Sequence, residues 1–224
     1  ESVRQAIQTA VLDPTLIVKA GQSIPNPDGI SFMKIRFVCE PVGLWASPET
    51  LTVPGQKFSG TVKDNLIEGV FEIEHRPYDG SGARAFPADF GREPALEEFL
   101  EPSDLIQSSD PVLIEKAREI ARGSKDAWEA AGRIARWVAQ NIKGAIPGGG
   151  TARGVYDTRD AECGGYANLT AAFCRAVGIP ARVVWGCMYS PVGGGLFGQH
   201  GWNEIYMGQA GWIPIDVTRG QFDT

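Results

Sequence analysis

The sequence predicts an α+β protein in which a small antiparallel β unit precedes a larger domain. Three observations carry this. Residues 31–76 alternate apolar and polar side chains in short runs separated by Pro and Gly, the period of half-buried strands. From Asp110 onward the apolar spacing becomes helical, and it returns to short β runs only after Pro180, an order that builds segregated rather than alternating layers. Between the two, residues 78–102 fill with Gly, Pro, Ala and Asp, which suits a connection crossing the surface and places a boundary near residue 100. The expected domains are therefore a β-rich accessory domain, 1–100, and a second domain, 101–224.

The elements follow in order. Val3, Ile7, Ala10 and Val11 stand at near-helical spacing and predict a short opening helix. Phe32-Met33-Lys34-Ile35-Arg36-Phe37-Val38 and Gly69-Val70-Phe71-Glu72-Ile73-Glu74 read as strands, with turn material at Val53-Pro54-Gly55-Gln56 and Lys63-Asp64-Asn65. Asp110 offers an N-cap with Pro111 at the first helical position, so a helix runs over 112–122 until Gly123. A second helix spans about 126–143, with Ile134, Trp137, Val138 and Ile142 on one face and Gly144 at its end. The Gly-rich stretch 144–154 is followed by no Gly-Lys-Ser/Thr and preceded by no strand, so it is not read as a phosphate cradle. A third helix, 163–177, closes at Gly178 and Pro180; strands follow from 181, near 200–207 and at 212–217, the last two joined by a turn at 208–211.

Composition narrows the function classes. With 224 residues, 43% of them apolar and 21% charged, the chain is expected to fold rather than remain disordered. A net charge of −6, with no long run of Lys or Arg, argues against nucleic acid and anionic membranes as partners. No stretch approaches the roughly 18 apolar residues of a membrane span. The chain opens on Glu1 rather than Met, which fits removal of a signal peptide and favours a secreted or periplasmic location. Cysteines at 39, 163, 174 and 187 are too few and too irregularly spaced for a disulfide framework.

One constellation carries chemistry. Cys163 opens the third helix, where unsatisfied backbone N–H groups and the positive dipole end favour a thiolate. The terminus alone is worth at most roughly 1 kcal/mol, whereas bringing a thiol from about 8.5 to below 7 needs about 2 kcal/mol. A cation must help. Of the two histidines, His75 reads as a solvated strand end; His200 lies downstream at the start of a strand, flanked by small residues that leave room for imidazole to meet sulfur. Asp216 is a lone carboxylate in an apolar strand, where an unpaired charge is costly, and the imidazolium supplies its partner. Strand parity sets a condition: His200 and Asp216 share a face only across an odd-numbered connection. Pairing Met207 with Gly211 puts Trp202 opposite Asp216 and makes His200 the diagonal neighbour.

Three ordered blocks make these residues specific. They are Cys163-Gly164-Gly165-Tyr166-Ala167-Asn168 through Gly178-Ile179-Pro180-Ala181-Arg182, then His200-Gly201-Trp202-Asn203-Glu204-Ile205-Tyr206, then Gly211-Trp212-Ile213-Pro214-Ile215-Asp216. Over about residues 103–224 the chain resembles the transglutaminase-like superfamily, in particular bacterial members described as cysteine-protease candidates. The resemblance implies a papain-like/transglutaminase-like core, with the Cys-bearing helix packed on an antiparallel sheet. It further implies Cys163 as nucleophile, His200 as general base and acid, and Asp216 as the residue orienting His200. One departure is Ala161-Glu162 before the cysteine, where family members usually carry Gly-Asp; it makes a bulkier approach to the sulfur. The implied mechanism runs through a thioester and needs no metal or organic cofactor. The Cys163 N–H is one expected oxyanion donor, and Trp202, Gln199 and Tyr156 are candidates for the second.

The other cysteines and the tryptophans carry plainer readings. Cys174, eleven positions on, lies roughly 16 Å along the helix and reads as core. That distance also defeats a zinc site of Cys163, Cys174, Cys187 and His200. Trp45, Trp128, Trp137 and Trp185 receive structural readings, while Trp202 and Trp212 flank the triad. The leading expectation is a cysteine hydrolase or peptidase acting on a peptide or protein substrate, including isopeptide or cell-wall-like amides. A glutamine-to-amine transglutaminase is the enzymatic alternative, and a binding module that keeps the fold without turnover is the non-enzymatic one.

Overall fold

The computed structural model describes residues 17–40, 46–64, 66–90 and 93–222. The expected opening helix and Trp45 lie outside these residues. The described residues form two compact units, Ile24–Pro77 and a larger one made of Tyr78 onward with residues 17–23.

The first described strand, β1 (Ile17–Lys19), belongs to the larger unit. The smaller unit is an antiparallel sheet of β2 (Phe32–Cys39), β3 (Gln56–Lys63) and β4 (Leu66–Glu74) in the order β2-β4-β3. Period-2 alternation sends Phe58, Ile67 and Phe71 to one face, where Ile35 and Phe37 pack on them. The other face carries the cross-strand pairs Lys34–Glu72 and Arg36–Glu68, exposed and so worth at most about 1 kcal/mol each. This is the small β unit expected from 31–76.

Sequence and structure divide the chain at different places. The stretch 78–100 is not a surface connection. Tyr78, Phe90 and Leu96 are buried in the core of the larger unit, and the backbone pairs Phe86 N–H to Lys125 O and Ala127 N–H to Arg84 O. The structural boundary therefore falls at residue 77, not near 100. Turn-forming residues dominate this segment's composition and conceal widely spaced apolar anchors that no helix or strand period connects.

Helix α1 (Pro111–Ala121) starts where expected: the Asp110 carboxylate accepts from the N–H groups of Val112 and Leu113. Helix α2 (Ala127–Asn141) is capped by Asp126 and buries Ile134 and Val138. It ends slightly before the expected residue 143 because Lys143 already opens β5 (Lys143–Gly149). The Gly-rich segment then yields a helix that the sequence does not announce, α3 (Ala152–Thr158), capped by Thr151. Strand β6 (Asp160–Ala161) pairs parallel with β5.

Helix α4 (Cys163–Ala176) is buried from Gly165 to Cys174. Its first turn explains the glycine run before it. A Cβ on Gly165 would stand 2.0 Å from the carbonyl oxygen of Gly149, so two backbones meet here with no room for side chains. Beyond Gly178 come β7 (Ala181–Ser190), β8 (Leu196–Tyr206), β9 (Trp212–Asp216) and β10 (Gln221–Phe222). All pair antiparallel with their neighbours, and β8 is central, with β7 along one edge. The result is the expected α+β core, a cysteine-bearing helix packed on an antiparallel sheet.

The register between β8 and β9 is the one strand parity required. Met207 N–H bonds Gly211 O across the three-residue turn Gly208–Ala210, and Asn203 stands opposite Ile215. Continued by one residue, this pairing puts Trp202 opposite Asp216.

Candidate active site

The site sits in a gap in the sheet. Along one edge β8 is paired continuously with β7 from residue 196 to 205. Along the other edge, β1 covers residues 196–198 and β9 covers 203–206. Among the described residues, no strand pairs with 199–202 on that side. Because Met207 N–H points to β9 and Tyr206 N–H to Pro180 on the β7 side, alternation aims the N–H of Gly201 into the gap. Asp216, at the end of β9, turns the chain away through Val217–Arg219, so among the described residues no strand carbonyl meets that N–H. The thiol of Cys163 lies beside it.

The Gly201 N–H, the Gly164 N–H in its own helical turn and the His200 side chain all lie close enough to Cys163 to act on its sulfur. On the far side of the imidazole, His200 Nε2 lies 2.8 Å from Asp216 Oδ2. With Nε2 engaged, Nδ1 is the ring nitrogen left for sulfur. The second carboxylate oxygen of Asp216 accepts from Thr218 N–H at 3.0 Å and from the Thr218 hydroxyl at 2.6 Å. Both His200 and Asp216 are only 7% exposed. The structure brings all three sequence-derived residues together, with His200 between the sulfur and the carboxylate.

Burial and charge oppose each other along that line. Burial pushes the Cys163 thiol up, but the hydrogen bond with His200, the Gly201 N–H, the imidazolium charge and the Gly164 N–H together hold it below its ordinary value. Burial pulls His200 down, yet its bonds and charge interactions with Asp216 and Cys163 raise it to about 9. Burial raises Asp216, and the stronger pull of His200, aided by Thr218, leaves it lowered. Each shift runs toward the charged form: thiolate, imidazolium and carboxylate. Cys174, fully buried in the same helix without such a partner, is pushed up to about 12.

Other sequence expectations resolve differently. The Trp202 ring stacks beside the His200 ring at 6.2 Å and covers Gly186, so it shields the imidazole. Trp212 instead packs on Phe99, Tyr206 and the guanidinium of Arg182, away from the line. Tyr156 is held among Trp137, Phe173 and Arg159. Trp185, read as structural, is at the site: its ring edge lies against the positions where Gly164 and Gly201 would carry a Cβ. Asn203 was also passed over; its amide donates to Ala167 O, tying β8 to α4 just beyond the cysteine. Among the described residues, no three His, Cys, Asp or Glu side chains converge to hold a metal ion.

Residues 114–217 match the family model described as the transglutaminase-like superfamily. The chain carries a transglutaminase-like domain. Over 71 residues it is 39% identical to a Pseudomonas aeruginosa protein-glutamine gamma-glutamyltransferase; that stretch is 29% of this chain and 11% of the relative, so the chain spans about a tenth of the curated relative's length. Two solved structures share this fold. One, from Cytophaga hutchinsonii, is described as a cysteine-protease candidate; it covers 92% of this chain and 71% of its own, with a TM-score of 0.56 and 16% identity. The other is the periplasmic domain of TgpA from Pseudomonas aeruginosa, covering 92% and 73%, with a TM-score of 0.54 and 18% identity. This is a fold used for cysteine-based acyl transfer, by peptidases and by transglutaminases.

Proposed function

We propose that the chain catalyses thiol-dependent acyl transfer at amide bonds of a peptide or protein, with Cys163, His200 and Asp216 as a catalytic triad and water as the usual resolving nucleophile. The observation that supports this reading is the line from the Cys163 sulfur through His200 to Asp216, buried at its acid end and with every shift running toward the charged form.

The Cys163 thiolate attacks the amide carbonyl carbon, forming a C–S bond while the π electrons move to oxygen. The Cys163 backbone N–H, at the helix start with no partner in the preceding turn, is placed to receive that oxyanion. As the C–N bond breaks, His200 gives its proton to the departing amine, leaving a thioester and a neutral imidazole. Water then attacks the thioester, His200 takes one of its protons, and collapse releases a carboxylic acid. The thiolate and imidazolium are restored. Asp216, held by Thr218, keeps the ring oriented and stabilises its charged form.

Hydrolysis is favoured over transfer by the openness of the site. Cys163 is only partly buried and the neighbouring Trp185 is 56% exposed, so water reaches the thioester. The second reading, transfer to an amine, draws on the glutamyltransferase relative. Mass spectrometry of a peptide library incubated with and without a primary amine separates the two. Hydrolysis gives cleaved or deamidated products in both samples, whereas transfer gives amine adducts; no thiol-dependent product in either sample leaves the binding-module reading. An extracytoplasmic location is part of the proposal, supported by the likeness to a periplasmic domain.

A further inference from the structure

Trp185 stands directly opposite Gly201 in the β7–β8 ladder. Since Gly201 has no side chain, the indole lies across the β8 backbone and continues toward helix α4. A Cβ on Gly201 would come 3.1 Å from its Cζ3 atom, and a Cβ on Gly164 would come 2.9 Å from its Cη2 atom. These two glycines flank the sulfur: Gly164 follows Cys163, and the N–H groups of both act on it. The ring edge is therefore seated beside the nucleophile.

The rest of the ring is open. At 56% exposure Trp185 is the one large aromatic left exposed among the described residues of the larger unit, where the other exposed large hydrophobics are aliphatic. An indole fixed at one edge and bare on its face is a rigid apolar wall with little entropy left to lose on binding. The glycines against it bring no polar side chain, so it selects by shape and apolar area.

We propose that Trp185 is a specificity-determining wall that takes a flat apolar group, such as an aromatic side chain, carried by the acyl substrate next to the scissile amide. This rests on the acyl-transfer reading of Cys163 and names the substrate class of that site.

Alkylation tests the wall without knowledge of the natural substrate. Rate constants for Cys163 are measured at pH 6 with iodoacetamide and with N-phenethyl iodoacetamide, and their ratio is compared with that of glutathione. The protein's aryl-to-unsubstituted ratio is expected to exceed glutathione's by about tenfold, the factor that covering part of an aromatic group supports. Trp185→Ala is expected to bring the ratio to that of glutathione, and Trp185→Phe to leave an intermediate value. The Phe variant keeps the test decisive where the Ala variant loses its fold. Parent and variants with one ratio overturn the wall alone. Iodoacetamide labelling of Cys163 no faster than that of glutathione overturns the acyl-transfer reading, and the wall with it.

Discussion

His200 Nε2 meets Asp216 Oδ2 at 2.8 Å although the two residues stand on different strands and do not face each other directly. Their contact is diagonal, and it exists because the turn between β8 and β9 has three residues, Gly208–Ala210. An even-numbered turn would place imidazole and carboxylate on opposite faces of the sheet.

Asp216→Asn keeps the shape of that contact and removes its charge. The proton on His200 is then held less tightly, so its value falls from about 9 toward the ordinary histidine range, and with it the thiolate. Turnover of a cleaved peptide is expected to drop by at least about 100-fold, measured as kcat/KM at pH 7.

Thr218→Val tests the support behind Asp216. Both Thr218 bonds end on the same carboxylate oxygen, and the variant deletes the hydroxyl while keeping the N–H. A bond to a charged group is worth about 1.5–3 kcal/mol, so a loss of roughly tenfold in kcat is expected, with a far smaller change in KM. Serine at this position is expected to restore most of the activity.

The pH profile follows from opposite shifts. His200, raised to about 9, holds its proton well into the alkaline range, and Cys163, lowered, loses its proton early. Activity is therefore expected to rise as the thiol ionises below its ordinary value and to fall near pH 9 as the imidazolium deprotonates. Stability moves with the same groups. The raised His200 contributes fully below its unfolded value near 6.5 and loses that contribution as pH climbs through about 9. The depressed Asp216 contributes above its unfolded value and loses that contribution as pH falls through its lowered folded one. Thermal midpoints measured from pH 3 to 10 check both limbs, and His200→Gln is expected to flatten the alkaline one.

Gly165→Ala probes the foot of the nucleophile helix. Its methyl group would meet the Gly149 carbonyl at 2.0 Å, backbone that cannot swing aside. A loss of about 2–3 kcal/mol is expected, lowering the thermal midpoint by roughly 4–12 °C. Gly150→Ala, with nothing within 4 Å of the new group, is the control and is expected to leave the midpoint nearly unchanged.

Much of the site is legible in residue order because local chemistry dictates it. Asp110 and Asp126 cap their helices through their own side chains, and the turn at 208–210 sets the register that joins His200 to Asp216. What was not legible depends on chain segments far apart in sequence. Nothing near Tyr78, Phe90 or Leu96 announces that they enter the core. The pairing of β1 with residues 196–198 links strands separated by most of the chain. Trp185 looked structural because its position depends on the glycine opposite it in another strand; exposure and a glycine partner are properties of the pair, not of the residue.

The ionisation of Cys163 tests the central claim most directly. Its alkylation rate with iodoacetamide, followed from pH 4 to 10 with the modified residue located by mass spectrometry, is predicted to exceed that of a free thiol at pH 6, with Cys174 unlabelled. A rate at Cys163 that merely tracks a free thiol across the range, or labelling unaffected by His200→Gln, would contradict it.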